Sequence, residues 1–341
     1  MIKPQATSVA RKNLTSLTVG ATTLQWSDLS VGIDNSTGWQ HSGIAALPDG
    51  SLLFAHPEGT DLLRRDAQGT LHRNRTELTE MHCLTVAYGP NGETVVWAAD
   101  NGHRFVHGRP EYGEIVKPGR VVALDVDGNI MREIVAPPHF GPWSPTSVAI
   151  TEPNDPRSDI WVADGYGQNL IHRFRFDGTP TLTLDGKTSG TSFDCPHGIL
   201  IRPRVGGRDG EKVLYVADRT NKRIVVFDLH GNYLHSLGNS VLNSPSSMVD
   251  FRGHLVVTEL FGALAVFHGD DYLGHLGSSP RDPAVDGWPN HRDVNRTVAP
   301  DLENGIFNSP HGITLYGDGL ALTEWVIGGR VLALLPGNDT Q

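Results

Sequence analysis

Two cysteines in 341 residues, Cys83 and Cys195, are too few for a disulfide framework, which excludes small cross-linked scaffolds and leads us to expect a reducing, cytoplasmic setting. Basic charge is scarce as well. With 28 Lys and Arg against 38 Asp and Glu, the net charge is -10, so the electrostatic footprint of a nucleic-acid partner is missing. No apolar run reaches the length of a membrane span, and none of signal-peptide length follows the first residues, so neither a membrane nor an export address is expected. Sustained helical periodicity is lacking too, which argues against a helical layer. Punctuation is abundant instead: 39 Gly and 22 Pro divide the chain into short strands and turns, as all-β repeat folds require.

The strands fall into six units beginning near Ser42, His82, Thr146, His197, Ser246 and His311. A period of roughly 40 to 65 residues suits four-stranded propeller blades with loop insertions. Each unit opens with an apolar strand such as Gly198-Ile199-Leu200-Ile201 and runs into a hairpin turn such as Pro48-Asp49-Gly50. A second strand ends in a small residue and an acid: Ala99-Asp100, Ala163-Asp164, Ala217-Asp218, Thr258-Glu259, Thr323-Glu324. In the first unit His56 takes the place of that acid. The last unit lacks room for a fourth strand, and the segment at about 17–26 alternates suitably to supply it. The expectation is therefore an all-β, six-bladed β-propeller forming one domain over 1–341, its ring closed by an N-terminal strand.

Chain direction places the starts of the first strands and the acidic ends of the second strands on one rim, with the Asp-Gly hairpins on the other. Two insertions map to the first rim: 101–118, with His103, Arg104, His107, Arg109 and Tyr112, and 271–308, with Trp288, His291, Arg292 and Arg296. Long loops on one face of a repeat scaffold mark its binding face.

His82, His197 and His311 open alternate units and lie 115 and 114 residues apart. In a closed ring their imidazoles converge on the axis, as a three-histidine metal site with an open fourth position requires. The competing reading is that each merely satisfies a hydrogen bond at the top of its strand. Zinc is the first choice of ion, with other divalent transition metals compatible with imidazole. Cys83 beside His82 reads as a small apolar residue, because alternation turns it away. The recurring acids read as scaffold, accepting hydrogen bonds from loop amides. Tyr166 and Arg219 have no counterparts in other units and are the catalytic candidates. His56, Arg64, His103, Arg104, Glu259 and Trp325 are candidate contacts to a small-molecule substrate.

The run Ile160-Trp161-Val162-Ala163-Asp164-Gly165-Tyr166, followed by Pro196-His197-Gly198 and Ala217-Asp218-Arg219, resembles the peptidyl-α-hydroxyglycine α-amidating lyase family, related to NHL-repeat propellers, over about residues 40 to 336. The resemblance implies zinc on His82, His197 and His311, with Tyr166 as the base that takes a hydroxyl proton and Arg219 as an active-site arginine. It implies cleavage of the C–N bond of a carbinolamide. Departures are equally specific: the family's first-blade arginine is replaced within Phe54-Ala55-His56-Pro57-Glu58-Gly59, and Ser309 and Gly312 replace a methionine and an aspartate around the last Pro-His. That aspartate serves a calcium site in the family, so calcium is not expected here, and a substrate other than a peptide is. The leading expectation is thus a zinc-dependent lyase acting on a small hydroxylated or carbinolamide-like molecule. A metal-dependent hydrolase of lactonase or amidase type and a non-catalytic binding propeller are the rivals. Oligomeric state has no signature in the sequence.

Overall fold

The computed structural model describes residues 16–33, 36–108, 111–137 and 141–337. Arg109, and the chain start in which a leader was sought, lie outside the described residues. Six antiparallel sheets form the blades of a β-propeller. Their innermost strands are Ile44–Ala46, Met81–Tyr88, Ser147–Ile150, Pro196–Pro203, Pro245–Phe251 and Pro310–Tyr316, each followed outward by strands in sequence order except at the outer edge of the sixth blade. The one helix among the described residues is a 3-10 turn at Lys187–Ser189. No described helix is long and apolar enough to cross a membrane.

The second strands read as continuous apolar runs because both of their faces are buried. In Lys212–Asp218, Val213, Tyr215 and Ala217 pack toward the fifth blade, while Leu214 and Val216 pack toward the third. Six apolar clusters arise in this way, one between each pair of neighbouring blades. The core is therefore a ring of inter-blade seams, and the ring must close for the first and last seams to exist.

Closure uses the N-terminal segment, with a correction. The segment expected as one strand at 17–26 is two, Ser16–Val19 and Thr22–Asp28, folded at Gly20, whose φ of 57° lies in the left-handed region. Thr22–Asp28 pairs with Arg330–Pro336 of the sixth blade, and Ser16–Val19 adds a fifth strand outside it. Leu24, fully buried on the closing strand, packs in the seam holding Phe251, Leu264 and Leu332. Leu24→Ala is expected to cost about 2–5 kcal/mol, read as a lower midpoint of denaturant unfolding.

A second correction concerns the later insertion. Asp271–Leu276 pairs with Ala263–His268 and is the outer strand of the fifth blade, so the insertion begins at Gly277. The pattern missed this because Gly274 interrupts the strand's apolar alternation. Each insertion carries its own hairpin, His103–Val106 with Gly113–Val116 and His291–Asp293 with Arg296–Val298.

Candidate metal centre and its cavity

In the inner strands the histidines sit in β-bulges. The ladder to the second strand shifts register between Met81 and Cys83, between Pro196 and Ile199, and between Pro310 and Ile313, leaving His82, His197 and His311 outside it. A bulge frees a residue from pairing and re-aims its side chain. The register also sets the rim, since Met81, Pro196 and Pro310 pair with the terminal acids Asp100, Asp218 and Glu324.

Each imidazole is oriented by the next inner strand. His82 Nδ1 lies 2.6 Å from the Thr146 carbonyl, His197 Nδ1 2.9 Å from that of Ser246, and His311 Nδ1 3.2 Å from that of Ser42. A carbonyl can only accept, so each Nδ1 carries the proton and each Nε2 is left as a lone-pair donor. To these three rings the intervening blades thus contribute orienting backbone oxygens. Gly198 makes this possible for His197: a Cβ there would collide with the Ser246 carbonyl that holds the ring.

The Nε2 atoms of His82 and His311 face one another at 3.1 Å. With both Nδ1 atoms donating to carbonyls, this contact sets two lone pairs against each other, and a cation between them relieves it. A proton is disfavoured in that role, because burial holds His82 down at about 3 and His311 well below the ordinary imidazole value, and Arg219 pushes in the same direction. Burial and Arg219 likewise depress His197. Neutral, buried imidazoles with aligned Nε2 atoms are the donor set of a divalent transition-metal site.

A fourth histidine belongs to the group, and the sequence reading missed it. His41, His82, His197 and His311 are all buried, and each offers one ligand atom within 4.8 Å of the others. The His41 ring lies 4.4 Å from that of His82 and 4.5 Å from that of His311. The signal was His41-Ser42-Gly43, which echoes Pro-His-Gly with one residue inserted. Cys83 Sγ turns instead toward Ser147 Oγ at 3.5 Å.

Tyr166 and Arg219 meet this cluster. Tyr166 Oη donates to His197 Nε2 at 3.1 Å and accepts from Arg219 Nη1 at 3.2 Å, while Arg219 Nη2 donates to Ser246 Oγ at 2.7 Å. The tyrosine ring reaches the cavity and the residue is 37% exposed, but its hydroxyl is packed between these groups. Burial pushes the phenol up to about 12, and Arg219 pulls against it.

Above the cluster opens a cavity of about 900 Å³ lined by His41, Tyr166 and Asn101, by Trp143, Phe105 and Trp325, and by His103 with neighbouring loop residues. Of the expected substrate contacts it brings together His103 and Trp325. His103 Nε2 lies 3.3 Å from Glu114. The other four are placed elsewhere. Arg64 lies near the far end of its strand, paired at 2.5 Å with Asp49 in a hairpin on the opposite rim. Arg104 alternates away from the cavity and donates to the Glu58 carbonyl. His56 Nδ1 accepts the Glu58 amide at 3.1 Å, a local turn contact. Glu259 accepts the amides of Asn243 and Ser244 at 2.8 and 2.6 Å, as the other rim acids do in their own blades.

Glu259 carries a pH signature. Burial raises it to about 7, above its value in an unfolded chain. Its stabilising contribution is therefore complete below about pH 4.5 and lost as pH rises through about 7. Glu259→Gln is expected to remove this loss, which is on the order of 3 kcal/mol. The check is the unfolding midpoint of the two proteins at pH 5 and pH 8, where the variant's advantage should grow with pH.

Fold and site together define a six-bladed β-propeller carrying a buried histidine cluster at the top of its axis. No family model and no curated protein matches the chain. Among solved structures it is similar to a streptogramin B lyase, at 16% identity and a TM-score of 0.54 over 92% of this chain and 98% of that one. It is also similar to a virginiamycin B lyase from Staphylococcus aureus, at 16% identity and 0.52 over 92% and 98%. A gluconolactonase from Xanthomonas campestris gives 17% identity and 0.56 over 93% and 91%. At such identities the likeness establishes the shared propeller fold.

Proposed function

We propose that the protein is a metal-dependent lyase that breaks a carbon–nitrogen bond at a hydroxylated carbon of a small molecule. The observation that carries this reading is the placement of Tyr166 Oη at 3.1 Å from His197 Nε2, with Arg219 on its other side. His82, His197 and His311 would hold zinc or another divalent transition metal, with His41 beside them. Such an ion, when bound, supplies Lewis-acid polarisation of a substrate hydroxyl.

The remaining chemistry belongs to the chain. Tyr166 reacts as the phenolate, its own proton having left: Oη takes the hydroxyl proton, the carbonyl forms as the carbon–nitrogen bond breaks, and Oη passes the proton to the departing nitrogen, which regenerates the phenolate. The products are an aldehyde and an amide, and no oxidant or reductant is needed. Arg219 Nη1, 3.2 Å from Oη, favours the phenolate form that accepts the proton, a task suited to a fixed, always-charged guanidinium.

The lyase and lactonase among the structural neighbours make elimination and hydrolysis the two chemistries to separate. Arg219 favours elimination, since it holds the one phenol beside the cluster in place as a proton carrier. The test is product analysis with N-(hydroxymethyl)benzamide, whose elimination yields formaldehyde and benzamide. Release of benzoic acid would assign a hydrolase instead, and turnover of neither kind would remove the lyase reading for carbinolamides.

A further inference from the structure

The first insertion builds a wall of the cavity that the proposed reaction does not use. Its hairpin, His103–Val106 with Gly113–Val116, stands outside the four-stranded sheet of the second blade, and by strand alternation presents His103, Phe105 and Val116 to the cavity. Trp143 and Trp325 line the same space. Behind them the rings continue as an arc. Phe105 stacks on Trp39 at 4.5 Å, Trp39 on Trp325 at 5.2 Å, and Trp288 meets Trp325 edge-on at 5.9 Å.

This arc is fixed from both ends. Tyr112 Oη, on the turn of the hairpin, donates to the Thr37 carbonyl at 2.5 Å, and Glu111 pairs with Arg292 of the second insertion at 2.6 Å. A preformed aromatic surface binds a flat ring at little cost in ordering. Charge narrows the class further. No carboxylate lines the cavity among the described residues, whereas Lys117 does, and Arg219 stands beside Tyr166. The nearby acids are engaged: Asp100 and Asp164 by loop amides, and Glu114, opposite Phe105 on the hairpin, by His103 at 3.3 Å. Lys117 and Arg219 therefore disfavour a cationic substrate.

We propose that the cavity is a subsite for an uncharged aromatic acyl group, so that the substrates are N-aroyl carbinolamides, with Phe105 of the inserted hairpin as a specificity-determining residue. This rests on the lyase reading for the reaction, although the subsite can be tested without it. The ring lies against Phe105, Trp143 and Trp325, and the amide extends toward Tyr166. Elimination then converts the hydroxymethyl carbon to an aldehyde and returns the proton to the amide nitrogen, giving a primary aromatic amide.

Two probes differing only in the acyl group make the test: N-(hydroxymethyl)benzamide and N-(hydroxymethyl)acetamide, compared by kcat/KM on the metal-loaded protein and on Phe105→Ala. The wild type is expected to prefer the benzoyl compound by roughly tenfold to a hundredfold, and Phe105→Ala to reduce that ratio to within about threefold of unity. Because Phe105 sits on a hairpin outside the blade sheets, the substitution leaves the ring of seams in place, and an unchanged melting temperature checks this. Cleavage of both compounds at equal rates by the wild type would overturn the subsite while leaving the lyase reading standing. So would a preference that survives Phe105→Ala. If neither compound is cleaved, the lyase reading falls, and calorimetric titration with benzamide and acetamide decides the subsite by itself. Benzamide binding at least tenfold tighter than acetamide, and weakened in Phe105→Ala, supports it; equal binding overturns it.

Discussion

His197→Ala is expected to abolish carbinolamide cleavage, with kcat/KM falling by at least about a thousandfold, and to leave the protein folded but free of transition metal. Three features set the size of this effect. The Nε2 of His197 is one of the four converging donors, and its ring is the one that the fourth blade contributes. The same atom lies 3.1 Å from Tyr166 Oη, so removing the ring also takes away the neighbour against which the phenol is packed. Finally, His197 lies in a bulge outside the strand ladder, and the seams around it are built from Ile199, Leu214 and Val216, which remain. Loss of function without loss of fold is the signature, read by steady-state kinetics, elemental analysis and thermal melting of one preparation.

Tyr166→Phe is expected to lower kcat by about a hundredfold to ten-thousandfold while the metal content stays at the wild-type level. The substitution keeps the ring, and with it the cavity wall, and removes only the oxygen that Arg219 and His197 hold. Its contrast with His197→Ala separates proton transfer from metal binding. Arg219→Met supplies the sign. Burial raises the Tyr166 phenol and Arg219 opposes that rise, so its loss drives the phenol further up, and any alkaline increase in rate should move to higher pH.

The repeat made much of this site legible. His82, His197 and His311 could be placed on one axis because equal spacing in a closed ring is a statement about geometry. Asp100, Asp164, Asp218 and Glu324 could be read as scaffold because an acid recurring in five of the six blades answers a need of the blade. What escaped the sequence lies where the period fails. His41 stands one residue out of phase with its counterparts, so aligning the first blade on Ser42 hid it. Arg64 was assigned to the site as a replacement for the first-blade arginine that the resemblance implies, yet it is the fourth residue of a strand descending from the rim, which carries it to Asp49 on the other side. Arg104 was separated from His103 and Phe105 by the alternation of a hairpin that the pattern did not predict. Trp143 and Asn101 line the cavity from loops, and Phe105 from an inserted hairpin, whose paths no periodicity encodes, although Asn101 directly follows a rim acid, as Arg219 and Trp325 do.

The account turns on whether four buried imidazoles hold an ion, and elemental analysis of the purified wild-type protein beside His82→Ala addresses that most directly. After exhaustive dialysis the wild type is expected to retain about one equivalent of zinc or another divalent transition metal per chain, and His82→Ala to retain almost none. A wild-type protein that holds no transition metal even after incubation with zinc, or a His82→Ala protein that holds as much as the wild type, would contradict it.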